Sequence, residues 1–224
     1  LATLNTLLEE VYNSLENQML NERVQTFLRM ERTEPQKYEY IAAVNGVQDV
    51  LDKDYRGNLH YSLDVYTEVG DYVISVLHKA QSYSRFSDKN LVETFYSLLE
   101  ENPGQNTFAD VRSVYQGEME ADRRIFTFYW ARFVGGGKKA FASISVDMEK
   151  VIEYITNNHD RIQGAYLILD KNNQVLLDTA HQMNDQYVDL PEDPDISAIT
   201  SLINGQQMRI SWMSMDRFGW KCVQ

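Results

Sequence analysis

The first 32 residues carry an amphipathic pattern that contains neither glycine nor proline. Apolar side chains recur at three- and four-residue steps, and the glutamates fall off that stripe. The apolar positions are Leu4, Leu8, Val11, Leu15, Met19, Leu20, Val24, Phe27 and Leu28. The pattern predicts one long helix over 1–32 that ends before Pro35. A helix of this length extends beyond one small domain, so it is either a spine that carries further modules or an ordinary bundle or coiled-coil helix.

Helical and strand patterns alternate through the rest of the chain. Helical spacing predicts helices at 36–57, 88–100, 147–157 and 196–203. Period-two alternation and flanking turn residues predict strands at 59–65, 72–77, 111–115, 124–133, 139–146, 165–169, 175–177, 208–213 and 220–223. The order indicates an α+β fold: a long N-terminal helix (1–35) followed by two antiparallel-sheet modules, at 36–150 and 151–224.

The charge balance and the cysteine count exclude several function classes. The chain has 33 acidic and 21 basic residues and a net charge of -12, and an acidic surface repels phosphate backbones. We therefore expect no nucleic acid bound by this segment. The single cysteine, Cys222, excludes an internal disulfide and a thiolate zinc site, and the four histidines show no metal-ligand spacing. The sequence predicts no metal site and no cofactor.

Motifs for catalysis are equally lacking in the sequence. The glycine run 135–137 precedes two lysines, but it lacks the spacing of a phosphate-binding loop and has strands on both sides, which favours a hairpin turn. No Gly-x-Ser-x-Gly motif occurs, and Cys222 lies in a predicted strand, where we expect it to be inert. We predict no catalytic residue.

The predicted strand over 123–133 has two different faces. One face carries Arg124, Phe126, Phe128, Trp130 and Arg132, and the other carries Ile125, Thr127, Tyr129, Ala131 and Phe133. Aromatic rings beside an arginine suit a pocket for a small anionic or sugar-like ligand. The same pattern also fits rings packed against helices with Arg132 in solvent. Asp147, at the end of the next strand, either faces a ligand amine or hydroxyl, caps the following helix, or does both.

Both termini interrupt a predicted element. Leu1 lies inside the helical pattern and Gln224 follows directly on a strand pattern. We expect the sequence to be an excised or processed piece of a longer protein.

Four segments resemble parts of one protein family. Segment 63–75 (LDVYTEVGDYVIS) resembles a strand–turn–strand in the sensor regions of bacterial membrane-bound regulators. Segment 139–148 (KAFASISVDM) is similar to the strand, ending in Asp-Ile or Asp-Leu, that closes the membrane-distal module of double Cache domains. Segment 166–176 (YLILDKNNQVL) is similar to the opening hairpin of the membrane-proximal module, with Asn173 where a glycine is usual, and 218–220 resembles its final strand. With the N-terminal helix, the resemblance covers essentially the whole chain.

The resemblance implies a double Cache fold with two PAS-like modules on one long helix. The membrane-distal module is 36–150, and the membrane-proximal module is 151–224, truncated at its end. The domain would lie on the extracellular face of the cell membrane, tethered between two transmembrane helices. A histidine kinase, an AraC-type DNA-binding region or a chemotaxis coupling region would supply the output, and segment 63–75 is most similar to AraC-type regulators and sensor kinases of Gram-positive bacteria. A small solute in the distal module would shift the N-terminal helix and the second transmembrane helix.

One departure from the family concerns the ligand. Amino-acid-binding members carry an arginine followed shortly by tryptophan and tyrosine, whereas Tyr129 and Trp130 here precede Arg132. Only Asp147 corresponds, so the resemblance does not support an amino-acid ligand. We expect a non-enzymatic sensor for a sugar, an organic acid or a similar small molecule. The predicted ligand-binding residues are Tyr66, Tyr115, Tyr129, Trp130, Arg132 and Asp147.

Two other function classes stay open at this point. The chain could be an interaction module without a small ligand, forming a homodimer through its N-terminal helix. A secreted enzyme would need a converging acid–base or metal site, which the sequence does not show.

Overall fold

The computed structural model describes residues 2–31, 33, 37–57, 59–114, 123–148, 150–151, 153, 166–178, 186–190, 198–203, 206–215 and 220–224. The chain divides into two compact units. The larger unit is Glu10–Asp147, and the smaller unit combines Leu1–Glu9 with Met148–Gln224.

Four helices and eleven strands are defined within the described residues. The helices are α1 (Ala2–Leu20), α2 (Glu22–Arg29), α3 (Lys37–Asp54) and α4 (Lys89–Glu101). The strands are β1 (His60–Thr67), β2 (Tyr72–Ser75), β3 (Gln81–Ser82), β4 (Thr107–Val114), β5 (Arg123–Phe133), β6 (Lys139–Asp147), β7 (Leu167–Leu169), β8 (Val175–Asp178), β9 (Ala198–Ile203), β10 (Gln206–Met215) and β11 (Trp220–Val223). Met148, Lys150, Val151 and Glu153 are helical, within the segment predicted as the helix 147–157.

The N-terminal helix is broken at Asn21, where the apolar pattern predicts a continuous helix over 1–32. Asn21 has extended backbone angles, and its side chain accepts a hydrogen bond from the backbone N–H of Arg23 at 3.0 Å. The side-chain amide of Gln25 donates to the carbonyl oxygen of Met19. These polar contacts satisfy backbone groups where the helix is interrupted. The apolar stripe nevertheless continues into α2, which buries Val24, Phe27 and Leu28.

A six-stranded antiparallel sheet forms the centre of the larger unit, in the order β3-β2-β1-β6-β5-β4. The β5–β6 hairpin turns through Gly135–Gly137, where Gly136 has φ 73° and Gly137 has φ 75°. The left-handed backbone favours glycine at both positions, so the predicted hairpin turn is confirmed. The register between β1 and β6 shifts between His60 and Ser62, beside an otherwise regular ladder.

Helices cover both faces of this sheet. On one face, the ring of Tyr12 in α1 packs against Trp130 of β5 with centroids 5.6 Å apart. On the same face, the Thr67 hydroxyl of β1 donates to the carbonyl oxygen of Leu28 in α2 at 2.9 Å. On the opposite face, Phe95 of α4 packs against Phe141 of β6 with centroids 4.5 Å apart. We call the first surface the α1 face and the second the α4 face.

The smaller unit has a five-stranded antiparallel sheet in the order β8-β7-β11-β10-β9. A small apolar cluster lies on it, formed by Leu169, Val175, Leu190 and Val223. The β7–β8 turn is held by Asp170, whose carboxylate accepts from the backbone N–H groups of Asn172 and Gln174, both at 2.8 Å. Asn173 has φ 64°, a left-handed conformation that asparagine tolerates better than most residues.

The helix predicted over 196–203 is wrong, because Ala198–Ile203 forms strand β9. It pairs with β10 from Ile203↔Gln206 to Ala198↔Ser211. Asn-Gly is a sequence signal for a tight hairpin as well as for a helix end, so this dipeptide alone does not distinguish the two.

No helix among the described residues is both long enough and apolar enough to cross a membrane.

Candidate functional site

The predicted site residues on β5 lie on opposite faces of the sheet. Tyr129 is on the α4 face, where its hydroxyl donates to the carbonyl oxygen of Leu91 at 3.2 Å. Trp130 is on the α1 face, against Tyr12. Alternation along the strand places Arg132 on the same face as Trp130, and both side chains are half-buried. These residues therefore do not converge on one pocket, and Tyr115 lies outside the described residues.

Tyr66 and Tyr129 belong to an aromatic cluster between the sheet and α4. Its buried members are Tyr66, Val73, Phe86, Leu91, Val92, Phe95, Leu99, Phe108, Tyr129, Ala131 and Phe141. Phe141 lies between the two tyrosines, with centroids 5.5 Å from each ring. The two side chains therefore contribute to the core of the larger unit, as in the alternative in which the rings pack against helices.

The tyrosine hydroxyls at the edge of this cluster stay protonated. The Tyr66 and Tyr96 hydroxyl oxygens are 3.3 Å apart, and the Lys139 ammonium lies 4.9 Å from the centre of the Tyr96 ring. Burial raises the pKa of Tyr66, although its hydrogen bond to Tyr96 opposes that shift. Burial and the hydrogen bond to Tyr66 both raise the pKa of Tyr96. The phenols are therefore neutral donors and acceptors at physiological pH.

Next to the aromatic cluster, the α4 face carries a set of buried polar side chains that the sequence analysis did not identify. We call this set the buried polar cluster. It consists of Ser62, Asp64, Ser75, Thr127, Ser143, Ser145 and Asp147, and each is at most 2% exposed. Asp147 is the only member that was also a predicted ligand-binding residue, and it lies at the end of β6.

Strand register accounts for the common face of the buried polar cluster. Ser143 pairs with Asp64 of β1 and with Tyr129 of β5, and Ser145 pairs with Ser62 and Thr127. Cross-strand partners share a face of an antiparallel sheet, and residues two apart on one strand do the same. Asp147 therefore lies on the same face as Ser143 and Ser145.

Hydrogen bonds connect most of the cluster hydroxyls. Ser62 donates to the Asp64 carboxylate at 2.8 Å, and its oxygen lies 3.3 Å from that of Ser75. The Thr127 and Ser145 oxygens are 3.0 Å apart. The Ser75 hydroxyl also accepts from the backbone N–H of His78 at 3.1 Å, which extends the network to the turn after β2.

Ser143 is the exception in this network. Its hydroxyl oxygen is closed to solvent and has no hydrogen-bond partner in the described part of the chain. Leaving a buried hydroxyl unsatisfied costs about 1–3 kcal/mol, so native proteins seldom keep one without a compensating function or partner.

Neither a metal centre nor a reactive thiol is evident among these residues. Within the described ranges, no group of three or more His, Cys, Asp or Glu side chains is close enough to hold a metal ion. Cys222 is buried in the smaller unit, and burial raises the pKa of its thiol to about 12. The thiol is therefore protonated and a poor nucleophile at neutral pH.

The buried polar cluster has a sequence signal that period-two alternation could have revealed. In β6, Ser143, Ser145 and Asp147 alternate with apolar residues, and in β1, Ser62 and Asp64 do the same. The polar side of each strand therefore identifies, in the sequence, the face on which the structure buries these side chains.

No protein-family model matches the chain, and no curated protein sequence matches it either. Solved structures do match. The ligand-binding domain of the Pseudomonas fluorescens chemoreceptor CtaA, in complex with L-isoleucine, has a TM-score of 0.64 and 11% identity over 99% of this chain and 85% of that one. The periplasmic sensory domain of the Campylobacter jejuni chemoreceptor Tlp1 has a TM-score of 0.64 and 10% identity over 99% and 89% of the two chains.

A third solved structure also matches. The extracellular domain of the putative histidine kinase vpHK1S-Z8 has a TM-score of 0.57 and 12% identity, covering 98% of this chain and 87% of that one. The three matches are a ligand-binding domain, a periplasmic sensory domain and an extracellular domain, and each likeness covers 98–99% of this chain and 85–89% of the other. The chain therefore has the fold of such sensor domains, which confirms the predicted α+β, Cache-type fold.

Proposed function

We propose that the chain is the extracellular, ligand-sensing domain of a membrane-bound signalling protein and has no enzymatic activity. A small solute would bind in the larger unit, on the α4 face of its sheet. The output region would be a histidine kinase, an AraC-type DNA-binding region or a chemotaxis coupling region. The buried polar cluster is the observation that carries the proposal.

Burial of this cluster is the reason to assign it a binding function. A sheet face that served only as core would be occupied by apolar side chains, as the aromatic cluster is. Five hydroxyl-bearing residues and two carboxylates are instead buried together on one face. A small-molecule site typically combines an apolar surface with a small number of polar groups, because the polar groups fix the orientation of the ligand.

The fold supports the same function. The chemoreceptor domains with this fold include one in complex with L-isoleucine, and the kinase match is an extracellular domain. The Tyr129-Trp130-x-Arg132 order still differs from the arginine–tryptophan–tyrosine pattern, and Trp130 and Arg132 lie on the α1 face. We therefore propose a small solute without assigning it to the amino acids.

Contacts across the sheet offer a route for the signal within the larger unit. β1 carries Asp64 on the α4 face and Thr67 at its end, and the Thr67 hydroxyl bonds the carbonyl oxygen of Leu28 in α2. A solute that displaces β1 by a fraction of an ångström would therefore act on the N-terminal helices. Such packed elements transmit discrete shifts rather than gradual deformation.

A thermal-shift screen of sugars, organic acids, amino acids and amines tests the function. We expect at least one solute to raise the melting temperature, because a ligand that binds only the folded state stabilises it. Asp147→Asn should weaken that effect, whereas Asp49→Asn should not, since Asp49 is an exposed residue of α3 whose carboxylate is 3.9 Å from Arg23. No shift with any solute would contradict the proposal.

Dimerisation through the N-terminal helix remains a second proposal. Leu20, at the end of α1, is 65% exposed, so its side chain is available for contact with a second copy of the chain. Sedimentation velocity of the wild type and Leu20→Lys would test it. Concentration-dependent dimerisation that Leu20→Lys abolishes supports the proposal, and a monomer at every concentration contradicts it.

A further inference from the structure

Ser143 and Ser145 are two serines of β6 on the same face, and both are fully buried. They differ in one respect. The Ser145 oxygen lies 3.0 Å from that of Thr127, whereas the Ser143 oxygen has no hydrogen-bond partner among the described residues. The two serines therefore share burial and strand geometry, but only Ser145 has a hydrogen-bond partner for its hydroxyl among the described residues.

The strand register determines which groups surround Ser143. Asp64 lies opposite it on β1 and Tyr129 lies opposite it on β5. Directly opposed residues have Cβ atoms about 4.5–5.5 Å apart, so one small chemical group can contact Ser143 and one of these neighbours together. Phe141, two residues before Ser143 on β6, belongs to the aromatic cluster. Ser143 therefore lies at the boundary between polar and apolar surfaces.

The hydrogen-bonding role of the neighbouring carboxylate selects the kind of group that fits there, because Asp64 accepts a hydrogen bond from Ser62. A serine hydroxyl both donates and accepts, whereas an ionised carboxylate only accepts. A ligand group with N–H or O–H hydrogens would be stabilised by both side chains. A carboxylate of the ligand would instead place its acceptor oxygens against the acceptor oxygens of Asp64.

We infer that Ser143, together with Asp64, binds the hydrogen-bond-donating head group of the solute, an ammonium or a hydroxyl. This inference rests on the proposed function and narrows it, because it favours amines, amino sugars and polyols over simple organic acids. Both side chains are closed to solvent, so the site must open for the solute to enter.

Matched serine variants separate a ligand contact from a structural function. Ser143→Ala removes an unsatisfied hydroxyl, so the ligand-free protein should melt at the same temperature as wild type or higher. Ser145→Ala leaves Thr127 without its partner hydroxyl, so the ligand-free protein should melt at a lower temperature. Only Ser143→Ala should weaken solute binding.

Three solutes with the same isobutyl body test the head group. They are isobutylamine, isobutanol and isovalerate, titrated at up to about 50 mM and followed by protein-observed NMR. Fragments of this size make few contacts, so a wide concentration range is required. We expect saturable binding of isobutylamine or isobutanol and none of isovalerate. Asp64→Asn should reduce the preference for the amine over the alcohol, which distinguishes an ammonium ligand from a hydroxyl ligand.

For the solute that binds, Ser143→Ala should weaken the affinity about fivefold, the effect of one hydrogen bond, and Ser145→Ala less than about twofold. Tighter binding of isovalerate, binding of no probe, or equal effects of the two serine variants would overturn the inference. If a solute from the broad screen binds but Ser143→Ala leaves its affinity unchanged, the inference fails and the proposed function stands. If nothing in that screen binds, both fail.

Discussion

The hydroxyl of Tyr129 in β5 donates to the backbone carbonyl oxygen of Leu91 in α4 at 3.2 Å. Leu91 lies in the first turn of α4, whose N-terminus is capped by the Asp88 carboxylate at 3.3 Å from the Leu91 N–H. The next residue of the strand, Trp130, instead contacts Tyr12 of α1. β5 therefore contacts helices on both faces of the sheet through two consecutive side chains.

Replacing Tyr129 by phenylalanine removes the hydrogen bond to Leu91 and keeps the ring. We expect Tyr129→Phe to lower the free energy of unfolding by about 1 kcal/mol, because the leucine carbonyl loses a buried partner. Urea denaturation measures the change. Tyr38→Phe is the control, since Tyr38 is 86% exposed and its hydroxyl can bond water. Equal stability of Tyr129→Phe and wild type would contradict the assigned contact.

The break between α1 and α2 depends on Asn21. Asn21→Ala removes the side-chain cap on the Arg23 N–H, and we expect the free energy of unfolding to fall by about 1 kcal/mol. Asn21→Asp keeps an acceptor oxygen and should remain close to wild type. Asn13→Ala, at an exposed position within α1, provides the control. A gain in stability and in helical circular dichroism with Asn21→Ala would indicate that the two helices prefer to be continuous.

His60 makes the stability depend on pH. Burial, and secondarily the charge of Arg56, lowers the pKa of His60 from 6.5 to about 4, and its Nδ1 accepts the backbone N–H of Arg56 at 3.1 Å. The folded state therefore favours the neutral ring. Its contribution is complete above the unfolded pKa near 6.5 and is lost as the pH falls through 4. A shift of this size corresponds to about 3 kcal/mol.

We therefore expect wild type to lose more stability than His60→Asn between pH 6.5 and pH 4, because asparagine keeps an acceptor but does not titrate. Urea denaturation at several pH values gives the free energy of unfolding of each protein. Subtracting one pH profile from the other cancels the contribution of the carboxylates, which both proteins share. Parallel pH profiles of the two proteins would show that His60 is not the titrating group.

Two glycines should respond to alanine in opposite directions. A Cβ on Gly70 would lie 2.5 Å from the hydroxyl oxygen of Tyr40, a buried ring that packs against Tyr72 and Phe27. Gly70→Ala should therefore destabilise the protein by about 1–3 kcal/mol. A Cβ on Gly46, within α3, would lie at an ordinary 3.5 Å from Arg23, so Gly46→Ala should stabilise by up to about 1 kcal/mol. Urea denaturation of both variants checks the two signs.

Most strands of the larger unit could be predicted because their alternation is long and their turns carry glycine. β5 and β6 were predicted to within about one residue, and the glycine run between them was correctly assigned to a turn. The break at Asn21 could not be predicted from the apolar stripe, because α2 continues it. The helix predicted at β9 is wrong although the apolar residues Ala198, Ile199, Leu202 and Ile203 follow a helical spacing, because pairing with β10 determines the conformation of this short segment.

The site was harder to predict than the fold. Period-two alternation separated Tyr129 from Trp130, yet both were placed in one candidate pocket because their residue types suit ligands. Serines contribute little to hydropathy and are common on surfaces, so the alternation of Ser143 and Ser145 with apolar residues does not by itself indicate a buried face. The register places the two serines opposite Asp64 and Thr127. Burial of a hydroxyl is a tertiary property, which a single sequence does not report.

A crystal structure of the domain with a solute from the screen tests the central claim most directly. We expect a solute bound on the α4 face of the larger unit, with one of its N–H or O–H groups within about 3.2 Å of the Ser143 hydroxyl oxygen. A solute bound on the α1 face beside Trp130 and Arg132, or in the smaller unit only, would contradict it.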